Sequence, residues 1–257
     1  MSAILLPAFL VSLVLLGIHS YFGIRIIRRG IIFTDLAIGQ MAALGAAISL
    51  FFFRGEFLYP LSLGCALAGG LMVWTADRRA AHLEAVIGLI YALGIAGVFI
   101  LLSRSPHGME EFQNLMAYDI LFTGIDEVLA TAVLYGLLGV IIFIIEKKAS
   151  EGLREVMFFI TFAVTVTSSV RLAGVLIVFA ILLSPAYIAL VLGETGMAPG
   201  CTGTHPLLFA WGIGVAINLV SIAVSYGMDL PTGYTLVFFH ALSAIIIALT
   251  VGKRTGG

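Results

Sequence analysis

Residues 156–192 read VMFFITFAVTVTSSVRLAGVLIVFAILLSPAYIALVL and carry a single charge, Arg171. A bilayer-spanning helix needs about 20 mostly apolar residues, so this run is long enough for two. Arg171, Leu172, Ala173 and Gly174 interrupt it once, and Ser184-Pro185 interrupt it again. The reading is therefore two spans, 156–170 and 172–192. One long broken or re-entrant helix is the alternative, because irregular backbone is tolerated at membrane depth where protein or a cavity covers it.

The same criterion applied outward from that run gives seven more spans: 3–23, 31–51, 57–76, 84–103, 125–145, 206–227 and 234–252. The expected fold is an all-α, polytopic bundle of about nine spans, in one transmembrane domain over 1–257. Composition agrees. Of 257 residues, 61% are hydrophobic and 11% charged, and mean hydropathy is +1.16. Soluble domains carry roughly 25% charged residues, so an ordinary soluble enzyme, a disordered chain and a basic nucleic-acid binder are excluded. A net charge of −1 names no bulk electrostatic partner. Cys65 and Cys201 form no CxxC pair.

Residues 1–20 lack a basic leader, and the first charge is Arg25, so the first segment reads as a retained span. Lys and Arg collect on the cytoplasmic side of membrane proteins. With nine spans, one side holds Arg25, Arg28, Arg29, Arg78, Arg79, Lys147, Lys148, Arg154, Lys253 and Arg254, and the other holds Arg54, Arg104 and Arg171. Ten against three places the N-terminus outside and the C-terminus in the cytoplasm. Merging the sixth and seventh spans would break that alternation. The longest stretches outside spans are 104–124, read as a short surface helix with a turn, and 193–205, a Gly-, Thr- and Pro-rich loop.

Polar residues within spans are costly and mark candidate sites. Asp35 opens the second span, either as a helix cap or as a pathway residue. Gln40 follows in a stretch rich in small residues, Gly39 to Ala47, which suits close helix approach. Asn218 and Ser221 lie three residues apart and share a face, suited to bonding between helices. His19 and His240 are lone histidines that read as packed and hydrogen-bonded, since one ligand makes no metal site. Glu84, beside His82, reads as a charge at a helix start. HExxH, GxSxG and Walker A motifs are absent. The chain is therefore not expected to be an enzyme or to hydrolyse ATP itself.

Five stretches, in order, resemble the permease subunit of zinc/manganese/iron ABC importers, the ABC-3 family. They are Arg28-Arg29 with Asp35 and Gln40 to Gly45; Glu84 to Gly88; Leu115 to Tyr118; Val170 to Leu176 continuing to Leu182-Leu183-Ser184-Pro185-Ala186; and Asp229 to Gly233. Together they extend over nearly the whole chain. The resemblance implies a multi-pass protein of a prokaryotic cytoplasmic membrane that pairs as a homodimer. It implies two cytoplasmic ATP-binding subunits and an extracytoplasmic substrate-binding protein. No cofactor is implied on the chain itself: a divalent metal is the candidate substrate, and ATP acts only through the partner.

By the same resemblance Asp35 carries the metal-contacting role, and Asp35, Gln40 and Asn218 are taken as pathway residues. The family's second-span His, usually four residues after the Asp, is missing. Gly39 stands there, and alignment on Gly45 puts Gln40 in its place. Imidazole suits zinc, whereas an amide oxygen suits a harder cation or a non-metal substrate. The loop that carries the family's coupling helix corresponds to 146–155. Within it Glu151, Gly152, Leu153 and Arg154 are the expected contacts to the ATPase. Ten residues barely hold two to three turns at 3.6 residues each. This motivates the alternative of an ATPase-independent carrier or channel on the same fold. An intramembrane enzyme is a third reading, with no nucleophile–base pair to support it.

Overall fold

The computed structural model describes residues 2–107, 110, 120, 123–195 and 206–251. Among these, nine helices are long and apolar enough to cross a bilayer, and there is no strand. They are α1 (Ser2–Arg29), α2 (Thr34–Phe53), α3 (Leu58–Arg79), α4 (Leu83–Leu102), α5 (Ile125–Lys148), α6 (Glu151–Ala173), α7 (Val175–Glu194), α8 (Pro206–Met228) and α9 (Thr232–Val251). Each expected span falls on one helix. Most of the expected surface helix at 104–124, the motif at 115–118 and most of the loop at 193–205 lie outside the described residues.

The sixth and seventh spans are separate helices, but the boundary differs from the expected one. Arg171 lies in the last turn of α6, where a cation complements the helix dipole. The break is Gly174, at φ +83° and ψ 164°, with its N–H donating to the Val170 carbonyl at 2.8 Å. Only glycine takes that conformation without steric cost. Ser184-Pro185 does not interrupt the second span, because Pro185 sits inside a continuous α7. The stretch 146–155 is not a loop either. α5 continues to Lys148 and α6 starts at Glu151, leaving Ala149 and Ser150 as the connection. Basic residues close α5 and an acidic residue opens α6, each favourable to its helix dipole.

The chain forms two compact units. One comprises Met1–Ile32, Asp119–Leu129 and Leu176–Gly257; the other comprises Phe33–Tyr118 and Ala130–Val175. In the second unit α2 packs against α3, α4 and α6. Thirteen of its 20 residues are buried, Thr34, Asp35 and Gln40 among them. Glycine on one side of each contact permits that closeness. A Cβ on Gly45 would overlap the Leu61 carbonyl oxygen. One on Gly94 of α4 would sit 2.7 Å from the Gln40 Cβ, and one on Gly97 would sit 2.8 Å from Leu44. Lipid tails are as apolar as leucine, so this surface fit, rather than a hydrophobic driving force, holds the helices together. α4 and α5 turn large apolar side chains outward, Leu89 at 69% and Val133 at 63% exposure, as hydrocarbon solvation requires.

In the first unit α1 packs on α8, and α8 on α9. Gly23 lets α1 meet the Leu182 carbonyl and the Ala186 side chain of α7. Ile24, Ala186, Ala189, Leu190 and Ala210 form the adjoining core. A turn at Asp229, φ +53°, joins α8 to α9. There Ser225 Oγ donates to the Leu230 carbonyl and pairs with Thr232 Oγ1, both at 2.7 Å.

Gly94→Val is expected to lower the thermal midpoint of the detergent-solubilised protein, since overpacking costs about 1–3 kcal/mol. Gly88→Ala, with open space around it, serves as the control and should leave the midpoint unchanged. Equal melting of both variants would refute the packing account of α2.

Candidate functional site

α2 brings Asp35 into the protein interior at its second residue. The helix N-cap is Phe33, which makes no side-chain cap bond. Asp35 is 1% exposed, and neither of its oxygens has a hydrogen-bond partner among the described residues. The neighbouring Thr34 Oγ1 is buried in the same condition. Asp35 is therefore not a cap. Burying a polar group without a partner costs free energy, and in membrane spans such a carboxylate marks a pathway or a cation contact.

Gln40 does not join it. Five residues along a helix turn the side chain about 140° away and about 7.5 Å along the axis. Gln40 lies against α4 at Gly94, whereas Gly39, adjacent to the Asp35 face, meets Val166 and Val175. Asn218 belongs to the first unit, on α8.

There Asn218 forms a polar node that links three helices. Its Oδ1 accepts from His240 Nε2 on α9 at 2.8 Å, and Ser184 Oγ on α7 donates to the His240 carbonyl at 2.7 Å. His240 and Asn218 are both wholly buried. The donated proton fixes the ring tautomer and leaves Nδ1 as an acceptor. Ser221 departs from the expected role, since its hydroxyl donates to the Ile217 carbonyl of its own helix. His19 is packed as expected, Nδ1 donating to the Leu15 carbonyl at 2.7 Å.

A second polar group was not singled out from sequence. In the second unit Tyr135 of α5 reaches Ser169 Oγ at 2.6 Å and Ser168 Oγ at 3.1 Å on α6. Thr161, Thr165 and Thr167 continue a run of hydroxyls along α6, each returning a bond to a carbonyl one turn back. The signal was present as TVTSSV inside an apolar run. Such back-bonding satisfies hydroxyls at membrane depth and tends to bend a helix.

The expected coupling residues Glu151, Gly152, Leu153 and Arg154 form the exposed first turn of α6, with Leu153 at 50% exposure. Arg154 Nε donates to the Ala149 carbonyl at 2.9 Å and so caps the end of α5. Arg78 pairs with Glu155 at 3.0 Å and lies over the Trp74 ring. Among the described residues no three His, Cys, Asp or Glu side chains cluster as a metal site. Among the described residues Asp35 is the one buried carboxylate; the other buried polar side chains are hydroxyls, the amides Gln40 and Asn218, and the imidazoles His19 and His240.

Residues 1–251 match the ABC 3 transport family, and the chain belongs to that family. It is a multi-pass membrane protein. It is similar to a Haemophilus influenzae protein named "Probable iron transport system membrane protein", 22% identical over 264 residues, covering 95% of this chain and 89% of that one. Its fold is similar to PsaBC from Streptococcus pneumoniae, solved in complex with Fab, with a TM-score of 0.76 at 15% identity over 98% of this chain and 94% of that chain. It is also similar to a protein described as a metal-chelate type ABC transporter in an inward-facing conformation. There the TM-score is 0.67 at 15% identity, over 96% of this chain and 85% of that chain.

Asn218→Leu is expected to destabilise the protein by about 1–2 kcal/mol, because it leaves the buried His240 N–H without an acceptor. Denaturant unfolding in mild detergent would show this as a lower midpoint. An unchanged midpoint would remove the node from the forces that hold α8 to α9.

Proposed function

We propose that this member of the ABC 3 transport family is the membrane permease subunit of an importer for a divalent metal ion. The observation that carries the reading is Asp35, a carboxylate buried at the start of α2 with no hydrogen-bond donor among the described residues. Full-length similarity to a protein named for iron transport supports the substrate class. Membership in an ABC family implies an ATP-binding partner and a substrate-binding protein. A second copy of the chain completes the expected assembly. The chain's own share is a path and its gates, while hydrolysis belongs to the partner.

The donor chemistry favours iron or manganese over zinc. Asp35 offers carboxylate oxygen, and Gln40, where the family's imidazole is expected, lies against α4 instead of beside Asp35. Carboxylate and carbonyl oxygens suit harder cations, and imidazole suits zinc. The proposed orientation, N-terminus outside and C-terminus cytoplasmic, rests on the ten-to-three division of Lys and Arg. Two contacts within the second unit support it. Arg78–Glu155 pairs the end of α3 with the start of α6, and Arg171 over Tyr59 pairs the opposite ends. Each contact joins two ends that the count puts on one side, as the alternation of spans requires.

ATPase docking is assigned to the turn at Ala149–Ser150 and to the first turn of α6. Leu153 is an exposed apolar side chain among Glu151 and Arg154 at a helix end, a pattern that suits a protein contact. The two-residue connection holds no separate coupling helix, and this keeps the ATPase-independent carrier as the second reading.

Two experiments test these assignments. In cells or proteoliposomes carrying the full transporter, Asp35→Asn is expected to cut iron or manganese uptake at least about tenfold, the equivalent of ~1.4 kcal/mol, with unchanged protein abundance. Wild-type uptake from Asp35→Asn would end its role as a contact. Leu153→Glu is expected to reduce recovery of the ATP-binding subunit in a gentle-detergent pull-down while leaving the thermal midpoint intact. Flux through liposomes that contain this chain alone would instead establish the carrier.

A further inference from the structure

The first unit carries a groove of ≈ 430 Å³ between α7 and α9, within the ~300–1,000 Å³ range of small-molecule sites. Ala241, Ala244 and Ala248 form its floor on α9, at the three- and four-residue spacing of one helix face. Leu176, Phe179 and Leu183 of α7 form a wall. Two hydroxyl-bearing residues line it, Ser184 and Tyr187, and Ser184 already donates to the His240 carbonyl. Every other lining residue is aliphatic or Phe, so the groove suits hydrocarbon.

One end of the groove is closed by Ile27 and Ile32. Between them runs the turn Arg28-Arg29-Gly30. It is fixed by Gly30 N–H to the Ile27 carbonyl at 3.1 Å and Ile31 N–H to the Ile26 carbonyl at 3.2 Å, with Gly30 at φ +70°. That turn carries two exposed arginines between two residues that line the groove. Guanidinium recognises phosphate with paired hydrogen bonds and stays charged at any relevant pH. An apolar slot that ends at a fixed pair of arginines matches one molecule abundant in the surrounding solvent.

We propose that this groove is a binding site for an anionic phospholipid, with an acyl chain along α7 and α9 and the phosphate headgroup at Arg28 and Arg29. The site lies in the leaflet on the Arg28 side, whichever face of the membrane that is. It is independent of the transported substrate. The lipid fills a depression that alanines leave open, and its headgroup neutralises charge at the end of α1.

Native mass spectrometry of the full chain, with added phosphatidylglycerol or phosphatidylcholine of equal chain length, tests the site. The wild type is expected to retain phosphatidylglycerol preferentially. Ala244→Trp, which fills the floor, should lose retention of both lipids. The double variant Arg28→Gln, Arg29→Gln should reduce the preference for phosphatidylglycerol by about fivefold or more. Equal retention of both lipids by the wild type, or undiminished retention by Ala244→Trp, overturns the proposal. A photoreactive residue at position 248 decides the matter without relying on the folding of Ala244→Trp. A lipid adduct supports the site; an adduct to a second copy of the chain, or none, overturns it.

Discussion

Within a bilayer core no water is available to a backbone N–H or C=O, so each must be satisfied by the protein. The nine described helices answer that constraint residue by residue, and where the backbone departs from a helix the departure is local. Gly174 takes a positive φ and still donates to the Val170 carbonyl. The turn at Asp229 is tied back through Ser225. Arg154 covers the Ala149 carbonyl at the junction of α5 and α6. Side-chain hydroxyls obey the same rule, which is why Thr161, Thr165 and Thr167 bond within α6.

Once the backbone is satisfied, helices in lipid associate through shape. α2 shows the consequence most fully. Its neighbours approach until Gly45, Gly94 and Gly97 leave no room for a Cβ, and the closeness buries Asp35 and Gln40 in the same stroke. A carboxylate placed there has no protein donor to meet it, and that links the packing of α2 to its proposed role as a cation contact. Asn218 and His240 are the contrasting case: two buried polar groups that share a hydrogen bond and fasten α8 to α9. A buried polar residue is proposed for transport in one place and holds helices together in the other, and the protein partner is what separates the two.

The nine spans were legible because a window of about twenty apolar residues is a signal that tertiary context seldom overrides. Their ends were less legible. Charge was taken as the end of a span at Arg171 and across 146–155, yet α6 runs past Arg171, and α5 and α6 fill nearly all of 146–155. Glu, Lys and Ala are strong helix formers, so a helix continues past the edge of hydrocarbon where hydropathy falls. Ser184-Pro185 misled for a related reason: a proline in a span is tolerated when neighbours satisfy the freed carbonyl. Of the candidate residues, Asp35 announced itself by its charge. The join from Asn218 to His240 spans 22 residues and that from Tyr135 to Ser169 spans 34, distances at which helix register, not local pattern, selects the partner.

The sequence by itself determined the solvent, the helical class, the number of spans and the family, because each follows from composition or from short motifs in order. The tertiary structure alone decided that Gln40 lies against α4, that Ser221 bonds within its own helix, and that alanines on α9 line a groove beside α7. These depend on the rotation of each helix about its axis. That rotation is set by contacts between residues far apart in the chain, and a one-dimensional pattern does not carry it.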